Sequence, residues 1–332
     1  MRKRILTRYR RHPWLATAVF IYLLFSGVEV VRNLLLANPL DKHDEGFSSW
    51  REAPIDDGGV ALLRWAEPHS TMVRPVQGSV LSLFLVHAGG DTTGVAMPVT
   101  FAVDGRPVDA YTLSRPGTYW FRYYLPSILG AGRWSDVERA WAARARSEAE
   151  AARSEEPARW QELKPWRLPP EPPSIRIETR VQTLRAIPEE AGGAGSDVGI
   201  ADVEWLDELP PEGAGFYPWE RDADGIGFRW TRRWAALPLQ IGGREAVIRM
   251  HAIHPEIERR PVTVDFFWNA ELLRTVSLAW FGWTNFAVAL PEEAMGNGVL
   301  SIHVSRTWSP ARAGVSPDTR ELGVAFAGVR WR

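Results

Sequence analysis

Short runs in which apolar and polar residues alternate, broken every eight to fifteen residues by Gly, Pro, Asn or Asp, fill most of the chain after residue 45. Such a period of two predicts β-strands with one buried face, and helical periodicity is almost absent. The pattern occurs twice. Gly46, Phe47 and Trp50 open one stretch, and Gly215, Phe216 and Trp219 open another with the same GFxxW spacing. An Arg-Trp pair follows fifteen residues after that Trp in each, Arg64-Trp65 and Arg233-Trp234. Strand-forming runs come next, Val80 to Val86 and Ala246 to His251, then a PVT triplet at Pro98 and at Pro261.

Further landmarks keep the parallel. Asp104-Gly105 is a two-residue hairpin signal, and Asn269-Ala270 stands in the equivalent place. Gly117 precedes Leu125-Pro126 as Gly282 precedes Leu290-Pro291, and SIRIETR from Ser174 is set against SIHVSR from Ser301. The closing stretch, Ser305 to Trp331, has a weaker echo in Ser196 to Trp205. Seven or so short strands per copy predict an all-β protein, two tandem antiparallel β-sandwich modules of jelly-roll type. The expected boundaries are 46–205 and 215–332, joined by a short linker at 206–214 that contains Pro210 and Pro211.

The first copy holds additional material at 131–173. Ser135 and Glu138 read as a capping box that starts a helix at Asp136, running to about Arg153, with a Pro-rich return to Ser174. Val137, Trp141 and Ala145 lie on one stripe of that helix. They are candidates for docking a partner, or else the stripe lies on its own sandwich.

The N-terminus follows a different pattern. A basic tail at 1–13 precedes 14–37, a mainly apolar stretch of 24 residues interrupted by Glu29 and Arg32. As a helix it would span roughly 36 Å, enough to cross a bilayer. No small-residue cleavage site follows it, so an uncleaved transmembrane anchor is expected rather than a signal peptide. The positive tail then stays cytoplasmic, and everything after a tether at 38–45 lies on the far side, in a bacterium the periplasm.

Composition narrows the function. The formal net charge is −1 and the tail is strongly basic, which leaves the remainder acidic and argues against nucleic-acid binding. Absence of Cys excludes disulfides, thiolate metal sites and a Cys nucleophile. No hydrolase, phosphate-binding or metalloprotease motif is present, and His251 and His254 lack a third ligand, so neither a cofactor nor a metal is expected. The 17 Trp residues are the outlier. Aromatic rings on a sandwich can stack against the apolar faces of sugars, which makes Trp268, Trp283 and Trp308 candidate ligand contacts. Asp318 and Arg320 are candidates for hydrogen-bonding sugar hydroxyls, or for holding their own loop closed.

The segment Ser305-Arg306-Thr307-Trp308 with Pro310, followed by Ser316, Asp318, Arg320, Leu322, Gly323 and Val324, resembles the C-terminal pattern of β-sandwich accessory modules of bacterial envelope glycosyltransferases and polysaccharide-biosynthesis proteins. The segment departs from it in Ser305, where those modules carry Asn, and in an extra Pro317. The resemblance implies a non-enzymatic module in a sugar-polymer setting. Two functions are therefore expected: an envelope protein that binds carbohydrate, or a scaffold subunit of a polysaccharide synthesis or export complex acting through other envelope proteins.

Overall fold

The computed structural model describes residues 43–48, 50–55, 59–88, 97–153, 173–182, 198–294 and 296–332. Among them no helix is long and apolar enough to cross a membrane. The expected anchor at 14–37 and basic tail at 1–13 lie outside the described residues. Asp44–Arg332 forms one compact unit.

The first half contributes ten strands: β1 (Glu45–Phe47), β2 (Arg51–Pro54), β3 (Val60–Pro75), β4 (Val80–His87), β5 (Met97–Val103), β6 (Arg106–Leu113), β7 (Gly117–Tyr124), β8 (Ser174–Val181), β9 (Val198–Ile200) and β10 (Glu204–Leu206). The second contributes nine: β11 (Ala214–Phe216), β12 (Glu220–Arg221), β13 (Gly227–Gln240), β14 (Glu245–His251), β15 (Val262–Trp268), β16 (Glu271–Leu278), β17 (Thr284–Ala289), β18 (Asn297–Val304) and β19 (Ala325–Trp331). The two sets hydrogen-bond separately, and every pairing described is antiparallel.

In each half one long strand joins two faces. The start of β3 pairs with β9 and its end with β8, while β13 pairs first with β19 and then with β18. Alternation then builds the core. Val99, Phe101 and Val103 of β5 turn inward and meet Leu81, Leu83 and Leu85 of the opposing face in one buried cluster. Val262, Val264 and Phe266 do the same against Ile248 and Met250 in the second half. Each such side chain, fully buried, contributes about 1.5–3 kcal/mol.

Pairing registers define which residues of the two halves correspond. Trp65 matches Trp230, Leu81 matches Ala246, Phe101 matches Phe266 and Tyr123 matches Val288, a constant separation of 165 positions (230 minus 65). The Asp104-Gly105 and Asn269 turns obey it, and Asp104, Gly105 and Asn269 share the positive φ that a tight hairpin requires. Three expected matches do not. The Arg-Trp pair of the second copy is Arg229-Trp230, not Arg233-Trp234, because the β2–β3 hairpin is four residues longer than that between β12 and β13. Pro98 corresponds to Thr263, the last residue of the second PVT and two past Pro261. Ile177 faces Met72 as Leu300 faces Leu237, so SIRIETR and SIHVSR are out of step by four residues.

Two helices follow β7, α1 (Leu125–Leu129) and, opening the insertion, α2 (Ala131–Arg153); the expected Pro-rich return lies mostly outside the described residues. The expected capping box fails, since Ser135 already lies inside α2, and Glu138 instead accepts a hydrogen bond from Trp134 Nε1 at 2.8 Å. The stripe packs onto its own sandwich. Val137 is fully buried in the first core, and Trp141 donates from Nε1 to the carbonyl of Val76 at 2.8 Å. Ala145, one turn further, is exposed.

Of the expected tether, 38–42 lie outside the described residues, while its end at 43–45 and the linker are built into the fold. The carboxylate of Asp44, near the end of the tether, is fully buried and accepts from Arg64 and Arg74 at 2.7 Å each. Leu209 and Ala214, in or beside the linker, share an apolar cluster with Val80 and Ala236, one from each half. A second bond between the halves is ionic. Arg232 of β13 donates to the buried carboxylate of Asp109 on β6 at 3.1 Å, and Tyr123 Oη donates to the same oxygen at 3.1 Å. Tyr111, Phe121 and Tyr217 surround the guanidinium with ring centroids 4.8, 4.9 and 5.0 Å away.

Candidate functional site

Four of the five expected ligand contacts border one aromatic cluster, Trp308 within it, Trp283 packed against it and Arg320, bonded to Asp318, over Tyr217; Trp268 belongs to the second core. Trp308 is 8% exposed, buried with Phe228, Trp230 and Leu322. Its backbone pairs with Leu322 in both directions, which closes the intervening loop. Asp318 and Arg320 hold that loop: Arg320 donates to both Asp318 oxygens and, at 2.6 Å, to Glu220 of β12. The Asp318 carboxyl lies below its ordinary range; desolvation opposes this, but the hydrogen bonds and charge of Arg320 outweigh it. Trp268 is 5% exposed and lies flat against Gly298, where an added Cβ would strike its ring. Trp283 is partly exposed, with the rest of its ring packed against the cluster that holds Trp308, and it borders the outer face of a sheet.

That sheet is β17–β14–β19. On β14 Ala246, Ile248 and Met250 point into the core, so Val247, Arg249 and His251 point outward. Arg249 pairs across the sheet with Asn285 of β17 and Gly328 of β19. At the end of this face Trp283 donates from Nε1 to Asp222 Oδ2 at 2.7 Å, which fixes the indole plane. Phe228 meets it edge-on at 5.8 Å and His251 at a tilt at 5.4 Å. The guanidinium of Arg249 sits 5.4 Å from the same ring. Two further rings adjoin in sequence, Trp280 at 52% and Phe281 at 58% exposure. They flank a bend relieved by Gly282, whose φ of 120° and empty surroundings leave the chain free to turn.

Electrostatics here are well ordered. Asp222 Oδ1 accepts from the backbone N–H of Ile226 and of Asp224, at 2.8 and 3.0 Å. Desolvation works against its ionised form, yet the Trp283 hydrogen bond and these two amides prevail and hold the carboxyl below its usual range. His251 is pushed down by burial, with Asp222 opposing, and its Nε2 is enclosed without a partner among the described residues. Asp222, Arg249 and His251 are not prominent in the sequence. The alternation in Glu245–His251 would have placed Arg249 and His251 on the polar side of a strand, but only a register shows Trp283 and Asp222 beside them.

Two clefts are deeper but chemically poorer. One of about 510 Å³ lies between the halves and is lined by Tyr124, Leu209, Pro211, Leu239 and Asn297, among others. Another, about 400 Å³, runs from the start of α2 to the β15–β16 hairpin, lined by Trp134, Trp268 and the carboxylates of Glu138, Glu271 and Glu293. In it Trp134 is tied to Glu138, and Trp268 is almost wholly covered. Neither cleft offers a free aromatic face. Among the described residues no group of acidic and His side chains could hold a metal ion.

No family model and no curated protein matches the chain. Several solved structures are weakly similar. One is the M60 catalytic domain with the CBM51-1 and CBM51-2 domains of Clostridium perfringens ZmpB, at 8% identity over 87% of this chain and 38% of that one, with a TM-score of 0.24. The tandem CBM22-1–CBM22-2 domain of Paenibacillus barcinonensis Xyn10C is similar at 9% identity over 86% of this chain and 93% of that one, TM-score 0.22. The cycloalternan-forming enzyme from Listeria monocytogenes in complex with a pentasaccharide substrate gives 12% identity, 85% and 21% coverage, and a TM-score of 0.23. This chain thus spans well under half the length of the first and last of these. Scores this low carry no argument about ligand or activity.

Proposed function

We propose that this protein binds carbohydrate without catalysing a reaction on it, through the outer face around Trp283. The observation that carries the reading is the joint placement of a fixed indole, two exposed rings and polar groups. Trp280 and Phe281, next to Trp283 in sequence, expose more than half their surface, and Arg249 and Asn285 supply hydrogen-bonding groups on the same face of the sheet. Sugars need both components, a π surface for their C–H faces and directional partners for hydroxyls. The twin halves then read as jelly-roll-like sandwiches, with 14–37 as a bacterial inner-membrane anchor that presents them on the periplasmic side in a polysaccharide-biosynthesis setting.

The test is a calorimetric titration of the full-length protein in detergent with a panel of bacterial and plant polysaccharide fragments. Binding of at least one fragment, lost on Trp283→Ala or Trp280→Ala with the melting temperature preserved, is the expected result. Heats indistinguishable from dilution at millimolar fragment concentration across the panel would remove the reading.

One observation favours a second reading, that of a scaffold subunit acting through protein contacts. On the first half, the positions of Arg249 and Asn285 are taken by Phe84 and Trp120, whose rings lie 4.5 Å apart. Phe84 is covered within its own half by a cluster with Ala53 and Leu63, and Trp120, 54% exposed, presents an apolar ring where the second copy has the polar Asn285, as a protein-binding surface would. Co-purification of a defined membrane partner that Trp120→Glu abolishes would support this reading over the first.

A further inference from the structure

Arg249 differs from three other arginines of the fold in what it lacks. Arg74 has Asp44 and Asp202 at 2.7 and 2.6 Å, Arg232 has Asp109 at 3.1 Å, and Arg320 has Asp318 and Glu220 at 2.7 and 2.6 Å. Arg249 is only partly buried, and among the described residues it makes no hydrogen bond or ion pair, although its charge acts on Asp222. A guanidinium carries five N–H donors in a rigid fork, and leaving it partly desolvated without an acceptor is unfavourable unless something else fills the place.

Its surroundings are open in the right direction. The neighbour across β19 is Gly328, where an added Cβ would meet nothing within 4 Å. Asn285 is the neighbour on β17, an exposed amide. The carboxylates facing the group are Asp222, whose oxygens are already taken by Trp283 Nε1 and two backbone amides, and Glu245, four residues along β14 and so roughly 13 Å away at strand rise. A second cation, Arg330, projects from the same face opposite Val247. The enclosed Nε2 of His251 lies beside the same indole.

We infer that Arg249 anchors the carboxylate of an acidic sugar, so that the Trp283 face selects uronate-containing glycans over neutral ones. This rests on the carbohydrate reading above and names the ligand class within it. The two oxygens of a hexuronate carboxylate match the guanidinium fork in a bidentate pair, while the apolar side of the sugar ring stacks on Trp280 or Phe281. The Trp283 ring holds the guanidinium in place from its other side, a cation–π contact that costs none of the in-plane donors.

Trimers of galacturonate, glucuronate and mannuronate, each beside its fully methyl-esterified form and beside the matching neutral hexose trimer, are titrated into the full-length protein in detergent. The ester keeps shape and removes charge. At least one free acid is expected to bind ten-fold or more tightly than its ester, with affinity falling as salt is raised. Arg249→Gln should bring acid and ester to the same affinity, and Arg249→Lys, which keeps the charge and loses the fork, should fall between, with thermal midpoints of both variants reported as the check on folding. Equal binding of acid and ester, or binding of the neutral trimers alone, overturns this inference while carbohydrate binding stands. Absence of binding by every trimer and every larger fragment overturns both.

Discussion

The residues repeated between the two halves are explained by two local constraints. Gly46 and Gly215 have φ of 73° and 74°, and a Cβ on either would collide with a backbone carbonyl oxygen, that of His69 or Trp234. The following Phe and the Trp three further on hold an arginine between them: Arg64 lies 4.7 and 5.4 Å from the rings of Phe47 and Trp50, and Arg229 lies 3.8 and 5.3 Å from those of Phe216 and Trp219. GFxxW is thus the signature of a cation–π clamp that closes each sandwich. Gly215→Ala should therefore destabilise the protein by about 2–4 kcal/mol, read as a lowered urea midpoint, whereas the same change at Gly225, which has no atom nearby, should cost about 1 kcal/mol, the strain of a positive φ alone.

One buried titratable residue gives a pH dependence. His254 is enclosed, its Nε2 in contact with the carbonyl of Arg306 at 2.9 Å, and desolvation first, then Arg306, pull its pKa down to about 4 from 6.5, with the carbonyl hydrogen bond opposing. A depressed folded pKa means the unfolded chain takes up the proton first. The stability associated with neutral His254 is complete above pH 6.5 and declines as pH falls toward 4, by up to about 3 kcal/mol at 1.36 kcal/mol per unit. Thermal melts of the parent and of His254→Gln between pH 7 and 4 check this: the slope should be shallower in the variant, and an equal slope would remove His254 as its source.

At the level of elements, sequence patterns located strands better than they aligned them. The Asp104-Gly105 and Asn269 hairpins and the duplication were legible from period-two alternation and turn residues, because these are local. Register is not local. A strand shifted by two or four residues keeps the same faces inside and out, so PVT and SIRIETR matched text that the sheets do not superpose, and the equal spacing to Arg233-Trp234 was a coincidence of hairpin length. The helix was legible as an element but not in its start, since Ala131 to Trp134 carry no sign of belonging to it until α1 and Gly130 are seen. Its stripe was ambiguous in sequence and is settled by Val137, which packs inside the first core. Val137→Asp should accordingly lower stability by more than about 3 kcal/mol, and Ala145→Asp should change it by less than about 0.5 kcal/mol, both measurable by urea denaturation.

Across the whole molecule, the two sandwiches are fused rather than strung together. The apolar cluster of Val80, Leu209, Ala214 and Ala236 and the Arg232–Asp109 pair tie them at separate points. Burial pulls the Arg232 guanidinium down, but the charge of Asp109 and its neighbouring tyrosine oxygens more than offset this and keep it firmly protonated. Removing either partner strands a buried charge, so Arg232→Met and Asp109→Leu should each cost about 3–5 kcal/mol, and the double variant should be more stable than either. Additive losses in the double variant would show that the two groups are not coupled.

The candidate site shows how far a sequence of this kind can be read. The abundance of Trp pointed to aromatic surfaces, but which of the 17 are exposed is decided by tertiary packing. Trp308 and Trp268 are core residues, whereas Trp283, with Arg249 and Asp222 drawn from other strands and loops, is not. The most direct measurement of the central claim follows the indole N–H resonances of the uniformly ¹⁵N-labelled full-length protein as a bound glycan is titrated, with signals assigned by single Trp→Phe substitutions. The account predicts that the Trp280 and Trp283 resonances move in step with saturation while those of Trp268 and Trp308 stay fixed. Movement of Trp120 or Trp219 instead, with Trp280 and Trp283 unchanged, would contradict it.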